Sequence, residues 1–480
     1  MAHPIAGPPI RDAVLLIEEG RLTAVGPADE VTIPADATVL EFPDSHAYPG
    51  LVDALSVAFG DPTVLNDKQA DAGTPVFEGL DPTDRASRAL IDYGITTAYV
   101  SNRADSTWRG LGAVLHPRHD GFAQAEGEET IAAGVQVNMA GATDKHPLER
   151  DKARRAIGEL FATLEAYRKA QERHPRKVEK YEAEFSKYLD YHRDQKSKKG
   201  PKGDADKGEA KTGDKIKDAD TDPPAAKPPQ EEGGENGGGE GNGKAKTKAA
   251  PAKKRQTGRD DGAAKADGAK KKDADKAPKR PNFPKPPTPD PAKEALMRVV
   301  DGELPLRVEV QRAEEIQAAL ELAREHSVPR LVLEGTAAAA DVEAIAAAGV
   351  PFVLTGFLEP QQPPRSAAFE RAGRLAGQLE GAGVTVAIGS GSVRGSRHLP
   401  LLAAYAAGKG LSADAAVRAI TLSDAEVLGV DDQVGSLQAG KRADVLIVSG
   451  PLLASDTRIL AVLSAGDIAF RATAAGTEDR

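Results

Sequence analysis

Three groups of residues carry side chains able to do chemistry, and each group has a plain alternative. Glu309 and Gln311 stand two apart in Pro305-Leu306-Arg307-Val308-Glu309-Val310-Gln311, and Glu334 closes the run Leu331-Val332-Leu333. Strand residues two apart share a face, so these could gather oxygen donors at one end of a sheet. Oxygen ligands alone favour Mg²⁺, Mn²⁺ or Ca²⁺ over zinc; the alternative is ordinary polar residues at a rim. Gly389-Ser390-Gly391-Ser392 has Arg394, Arg397 and His398 close behind it. Backbone N–H groups and cations in such a loop could cradle an anion, which makes Ser390, Ser392 and Arg394 candidate binding residues. The alternative is a short loop of small residues. His116 and His119 are three apart, a metal-ligand spacing on a helix, but Pro117 argues against a helix there and a solvated loop is expected. His46 reads as a packed or surface residue, and His326 as a helix-end residue that complements the dipole. The chain has no cysteine, which excludes disulfides, Cys–zinc sites and thiol catalysis.

These side chains need elements to hold them. Ala13–Ile17 and Leu22–Val25 flank a turn signal at Glu19-Gly20-Arg21 and predict a hairpin. Residues 443–448, 459–463 and 468–470 predict three more strands near the other end, so both ends are expected to pair in one small sandwich. Between them, strands alternate with helices. Asp81-Pro82 is a cap-and-N1 signal for a helix running to about Tyr93 and stopping at Gly94. Ile95–Val100 is a β-branched strand, Pro305–Val310 another, and Ala313–Glu325 an amphipathic helix. Strands follow at 330–333, 351–354 and 384–388, the last leading to a helix that starts near Leu399. Repeated β–α alternation predicts a parallel sheet with helices outside, in a closed barrel.

The middle of the chain departs from that pattern. Residues 151–193 are charged, with Ile157, Leu160, Phe161, Leu164 and Tyr167 at helical spacing, and predict one or two exposed helices. Residues 194–290 are Lys, Asp, Glu, Gly, Pro and Ala with almost no large apolar residue. Such a segment cannot offset an ordering entropy of roughly 1–2 kcal/mol per residue, so a disordered charged linker is expected. Its basic runs, Lys253-Lys254-Arg255, Lys270-Lys271-Lys272 and Lys279-Arg280, could touch a polyanion. Interspersed aspartates and the lack of aromatic residues among the lysines favour a solvated spacer. The 480 residues allow two or three domains, or one large barrel with additions. Aromatics make up only 4%, so aliphatic side chains and Ala must fill the core. A net charge of −10 favours solubility and argues against nucleic acid as a global partner. No leader or membrane-spanning run is legible, so a soluble, cytoplasmic protein is expected. An upstream start stays open, because the first strand begins so close to Met1.

Tyr48-Pro49-Gly50-Leu51-Val52-Asp53, followed by Ala54-Leu55-Ser56-Val57, resembles the opening strand of the metal-dependent amidohydrolase superfamily, Pro-Gly-Leu-Ile/Val-Asp-x-His-x-His. Gly94–Thr97, the stretches around Glu309 and Glu334, and Gly389–Ser392 are similar to later family segments. The closing Ala439-Gly440-Lys441-Arg442-Ala443-Asp444 is similar to the family's end signature, and the likeness is nearest to imidazolonepropionase-like members. The resemblance implies an α/β fold, a (β/α)8 TIM-like barrel at 49–420 with a composite β-sandwich from 1–48 and 421–480. It implies hydrolysis of carbon–nitrogen but not peptide bonds, with zinc or another divalent metal as cofactor. Residue by residue, Leu55 and Val57 fall where the family has its paired histidines, and Glu309 and Gln311 at the strand-five positions. The strand-six histidine is missing between Glu334 and Gly335, and the strand-eight aspartate, the family's base, falls on Gly391. The expectation is a degenerate member with no catalytic residue and no metal cofactor. Its alternatives are a binder of a small-molecule or anionic ligand, a non-catalytic partner subunit of an intact homologue, or a homo-oligomer. A rebuilt metal site at Glu309, Gln311 and Glu334 is the remaining rival.

Overall fold

The computed structural model describes residues 1–60, 70–102, 106–124, 134–139, 147–198, 277–335, 341–355 and 366–472. Most of the expected linker, residues 199–276, lies outside these. The strands are β1 (Ala13–Glu18), β2 (Arg21–Pro27), β3 (His46–Pro49), β4 (Leu51–Ser56), β5 (Ile95–Val100), β6 (Trp108–Arg118), β7 (Gly121–Gln124) and β8 (Gly134–Asn138). They continue as β9 (Leu306–Glu309), β10 (Leu331–Gly335), β11 (Phe352–Thr355), β12 (Val386–Gly389), β13 (Val445–Val448), β14 (Ile459–Ser464) and β15 (Asp467–Arg471).

One sheet runs β12-β11-β10-β9-β8-β6-β5-β4, with β7 paired to β6, and curls into a nearly closed barrel. Strands β8 to β12 are parallel neighbours, as are β4 and β5. Strand β6 runs antiparallel to both β5 and β8, a departure from the uniform β–α alternation expected. Only residues 101–107 link β5 to β6. A parallel crossover needs a dozen residues or more, so the strand has to turn back.

Two other local expectations shift. The helix after β4 begins at Arg85, where Asp84 accepts from the N–H groups of Ala86 and Ser87. Asp81 instead accepts from Thr83 in a turn. The element still ends at Gly94, whose φ of +81° only glycine adopts freely. His116 and Pro117 lie inside β6, not in a solvated loop. Proline is tolerated there because β5 pairs only with Ala113–Leu115, which leaves Pro117 beyond the end of that ladder.

Strand alternation sorts the core. Leu306, Val308, Leu331, Leu333, Phe352, Leu354, Val386 and Ile388 share the large cluster with Ile316, Ala319, Ile345, Leu375 and Leu379 of the surrounding helices. The alternate residues Val332, Val353 and Ala387 pack with Ala54 and Val427 in a cluster of their own, inside the barrel. Val427 belongs to helix Leu422–Leu428, which therefore contributes to the barrel and not to the terminal sheets.

The two ends of the chain share a second sheet, β15-β14-β13-β3, while β1 and β2 form a hairpin beside it. Ala2, Leu22, Ala47, Val445, Ile447, Ala461 and Leu463 fill the core between them. Contacts divide the chain into residues 1–175 with 285–480, and residues 176–284. A single helix, Pro147–Lys198, contributes to both and carries Pro175, which cannot donate within it, at the division. In the first unit it buries Ala153, Ile157, Phe161 and Leu164. In the second, Tyr181 stacks on Phe185 and meets the edge of Phe283.

Strands β4 and β12 meet without a ladder of their own. The seam has one backbone bond, Gly391 N–H to Leu55 O at 2.8 Å. A Cβ on Gly389 would stand 2.7 Å from Leu55 Cβ and 2.8 Å from its nitrogen, so glycine is what lets the strands approach. Gly389→Ala is expected to lower stability by about 1–3 kcal/mol in urea unfolding, as overpacking of a core does. Gly381→Ala, whose Cβ meets nothing within 4 Å, should change little.

Candidate functional site

Glu309 ends β9 with a half-buried carboxylate (16% exposed), and its Oε2 accepts from the Arg109 guanidinium of β6, itself only 5% exposed. Gln311 Nε2 donates to the other oxygen at 3.1 Å. Gln311 N–H in turn donates to Glu315 at 2.7 Å, and burial pushes the Glu315 carboxyl up from its ordinary range. The carboxylate most available to a ligand is thus already held by a cation and an amide.

Glu334, on β10, is deeper. Both it and Arg307 of β9 are 0% exposed. Arg307 donates to Glu334 Oε2 from Nε (3.2 Å) and Nη2 (2.9 Å), and Nη2 also donates to Ala54 O at 2.8 Å. The guanidinium lies 4.1 Å above the Tyr99 ring centroid. Gln136 of β8 donates to Glu334 Oε1. A carboxylate only accepts, so the Gln136 amide must present its nitrogen there. Arg307 Nη1, Tyr99 OH and Gln136 Oε1 have no partner among the described residues. Burial pushes the Tyr99 phenol well up from its usual value. Removing one member of a buried pair of this kind costs about 3–5 kcal/mol, because the other charge is left uncompensated.

The remaining metal positions carry no donor side chain. Leu55 is buried among Val52, Tyr99, Val114 and Ala425; Val57 packs on the main core. Gly391 adopts φ +73°. No group of three or more His, Cys, Asp or Glu able to hold a metal occurs among the described residues. The side chains present therefore do not fit the divalent ion that the resemblance implies: two positions are apolar, one is glycine, and the two carboxylates are each bonded to an arginine.

The Gly389–Ser392 loop does cradle an anion, and the anion is the protein's own Asp53. Ser390 donates to Asp53 from its N–H (2.9 Å) and its hydroxyl (2.5 Å), and the Ser396 hydroxyl donates at 2.7 Å. Ser392 accepts from Gly395 N–H as the cap of the single turn Val393–Ser396. Arg394 is exposed on that turn. A second buried carboxylate, Asp424, accepts from Ala54 N–H of β4 (3.2 Å) and Ile388 N–H of β12 (2.9 Å). Two aspartates thus pin the seam that the strands leave open. Burial pushes Asp53 up to about 6, against the pull of its serine donors. Asp424 is raised well above its ordinary value by burial and then by the Asp53 charge.

His116 and His119 do not meet at a common site. His116 is buried, bonded through Nδ1 to Thr96 O (3.0 Å) and Thr97 Oγ1 (3.2 Å), whereas His119 is exposed beside Asp92 at 2.7 Å. His46 bonds to His3 at 2.8 Å, and burial with the neighbouring His46 lowers His3 to about 4. His326 stacks on Phe161. Sequence reasoning missed Arg307, Arg109, Tyr99, Gln136, Asp53 and Asp424 as the polar framework. A signal was present in Leu306-Arg307-Val308-Glu309, where alternation puts Arg307 on the face of Glu309. Another was Asp53 inside the apolar run Leu51–Leu55.

Asp53 gives a pH prediction. Its folded value of about 6 exceeds an unfolded value of about 3.9. The folded state therefore holds more protons between them, so the stability present below about pH 4 is lost as pH rises through 6. The two-unit shift corresponds to up to about 3 kcal/mol. His3, lowered to about 4, acts in the opposite sense over the same range, so the reading is a difference: the urea midpoint of Asp53→Asn relative to that of the wild-type chain should rise from pH 4 to pH 6.5. Parallel slopes in the two proteins would contradict the assignment.

The comparisons agree with this architecture. Residues 312–469 match the model of the amidohydrolase family. Adenine deaminase 4 of Rhizobium meliloti (strain 1021) is 39% identical over 74 residues, 15% of this chain and only 12% of that relative's length. The crystal structure of an amidohydrolase from Thermotoga maritima MSB8 is 16% identical, with 98% of each chain covered and a TM-score of 0.65, a likeness of fold. Phenylurea hydrolase B is 14% identical over 97% of this chain and 94% of its own, with a TM-score of 0.46. The chain thus shares a barrel fold with an amidohydrolase over almost its whole length, and residues 312–469, the second half of the barrel with the closing sheet, match the amidohydrolase family.

Proposed function

We propose that this amidohydrolase-family protein is catalytically degenerate and works as a non-hydrolytic partner subunit. The observation that carries the reading is that the carboxylate at a family metal position, Glu309, is committed to Arg109, and that Glu334, beside the missing strand-six position, is committed to Arg307. The family mechanism needs a metal-bound water and an aspartate base, and the base position is Gly391. No catalytic residue is assigned.

Two non-catalytic roles were open from the sequence. A small-molecule or anion binder at Ser390, Ser392 and Arg394 needs free donors in that loop, and Ser390 gives both its N–H and its hydroxyl to Asp53. Leu55, Tyr99, Gln136, Arg307 and Glu334 are packed to 0–1% exposure, which leaves the lumen centre filled by the chain itself. Both observations favour partnership over ligand binding. Among the described residues no helix is long and apolar enough to cross a membrane, and a soluble, cytoplasmic setting is part of the proposal.

Elemental analysis of the untagged chain, purified without chelator, is expected to find well below one divalent ion per chain. Amide and lactam substrates should turn over no faster than in buffer, and an intact amidohydrolase homologue should co-purify from the native host. Near-stoichiometric metal that is lost in Glu309→Ala or Glu334→Ala would overturn the proposal.

A further inference from the structure

One buried ion pair gathers most of the barrel around it. Arg307 projects from β9 and Glu334 from β10; Ala54 O of β4 accepts from the guanidinium, Tyr99 of β5 underlies it, and Gln136 of β8 holds the second carboxylate oxygen. Five of the eight barrel strands meet at this point. Three of them, β4, β9 and β10, are the first, fifth and sixth of the barrel. Those are the strands from which the resemblance draws the histidines that would surround a metal.

We infer that the Arg307 guanidinium is a resident cation of this barrel, covalently attached where its first, fifth and sixth strands meet, and that removing it leaves a site for a free guanidinium-type cation. The inference rests on the metal-free reading proposed above. The chemistry of the walls supports it. Glu334 supplies a fixed negative charge, Ala54 a carbonyl acceptor, and Tyr99 a flat π-face that favours a planar cation. Two N–H groups converging on one carboxylate oxygen, with the cation stacked on a ring, suit a planar guanidinium and not an ammonium. With Arg307 cut back to alanine, Glu334 becomes a buried carboxylate without a counter-ion, next to a void of the shape just vacated. Asp424 also lies within the field of Arg307, so its loss further disfavours negative charge at the seam.

The test is chemical rescue in the full-length chain. Arg307→Ala is expected to lower the thermal midpoint by about 5 °C or more. Adding 20 mM guanidinium chloride should recover a good part of that loss relative to 20 mM sodium chloride, whereas the wild-type protein should gain nothing. If Arg307→Ala does not fold unaided, the readout becomes its soluble yield on refolding in 20 mM guanidinium chloride against sodium chloride. The double variant Arg307→Met with Glu334→Gln has no charge to neutralise, so it should fold and be indifferent to guanidinium. No gain in Arg307→Ala, or an equal gain in the double variant, would overturn the inference. Metal bound to the wild-type chain would instead sink the reading beneath it, so the two failures are distinguishable.

Discussion

A carboxylate at the centre of a packed barrel has to be neutralised by something, and in this chain that something is Arg307. The guanidinium and Glu334 have no solvent to share their charge with, so each depends on the other and on the polar atoms that five strands bring to them. A buried pair of this sort adds little net stability over a well-packed apolar pair, yet breaking one half of it is costly. Its consequence is specificity: only a barrel with β4, β5, β8, β9 and β10 in their observed registers brings together Ala54 O, Tyr99, Gln136, Arg307 and Glu334. Leu55 and the apolar layer of Val332, Val353 and Ala387 fill the space beside it.

The same logic governs the seam between the first and last barrel strands. There the backbone supplies a single direct bond, and Asp53 and Asp424 accept from N–H groups on both sides. Ser390 and Ser396 complete the shell around Asp53. A loop that in isolation has the makings of an anion site has its anion supplied from within. Both centres thus turn groups with catalytic or binding potential toward the architecture. The same chemistry explains why the mouth can keep the family's frame while its metal positions hold leucine, valine and glycine.

Much of this architecture was legible in the sequence because local signals are strong where strands alternate with helices. Ile95–Val100 and Ala313–Glu325 occur at the expected bounds, and Gly94 stops its element through positive φ as expected. The reversal of β6 was not legible from composition, since it follows from the length of the 101–107 connection. Pro117 misled because proline is judged by its local backbone, whereas its tolerance depends on where the neighbouring ladder ends. Within the site, Glu309, Gln311 and Glu334 were found as donors, but their cations were not. Arg109 is 200 residues from Glu309 in sequence; pairing over that distance leaves no local trace. Arg307 was closer to hand, two residues before Glu309 on the same face.

Whether the two arginines exclude metal is decided by a crystal structure of the full chain grown with zinc, with data collected at the zinc absorption edge. The expected result is continuous bonding of Arg307 to Glu334 and of Arg109 to Glu309, with no anomalous peak within coordination distance of Glu309, Gln311 or Glu334. A strong anomalous peak there, with either arginine swung away from its carboxylate, would contradict it.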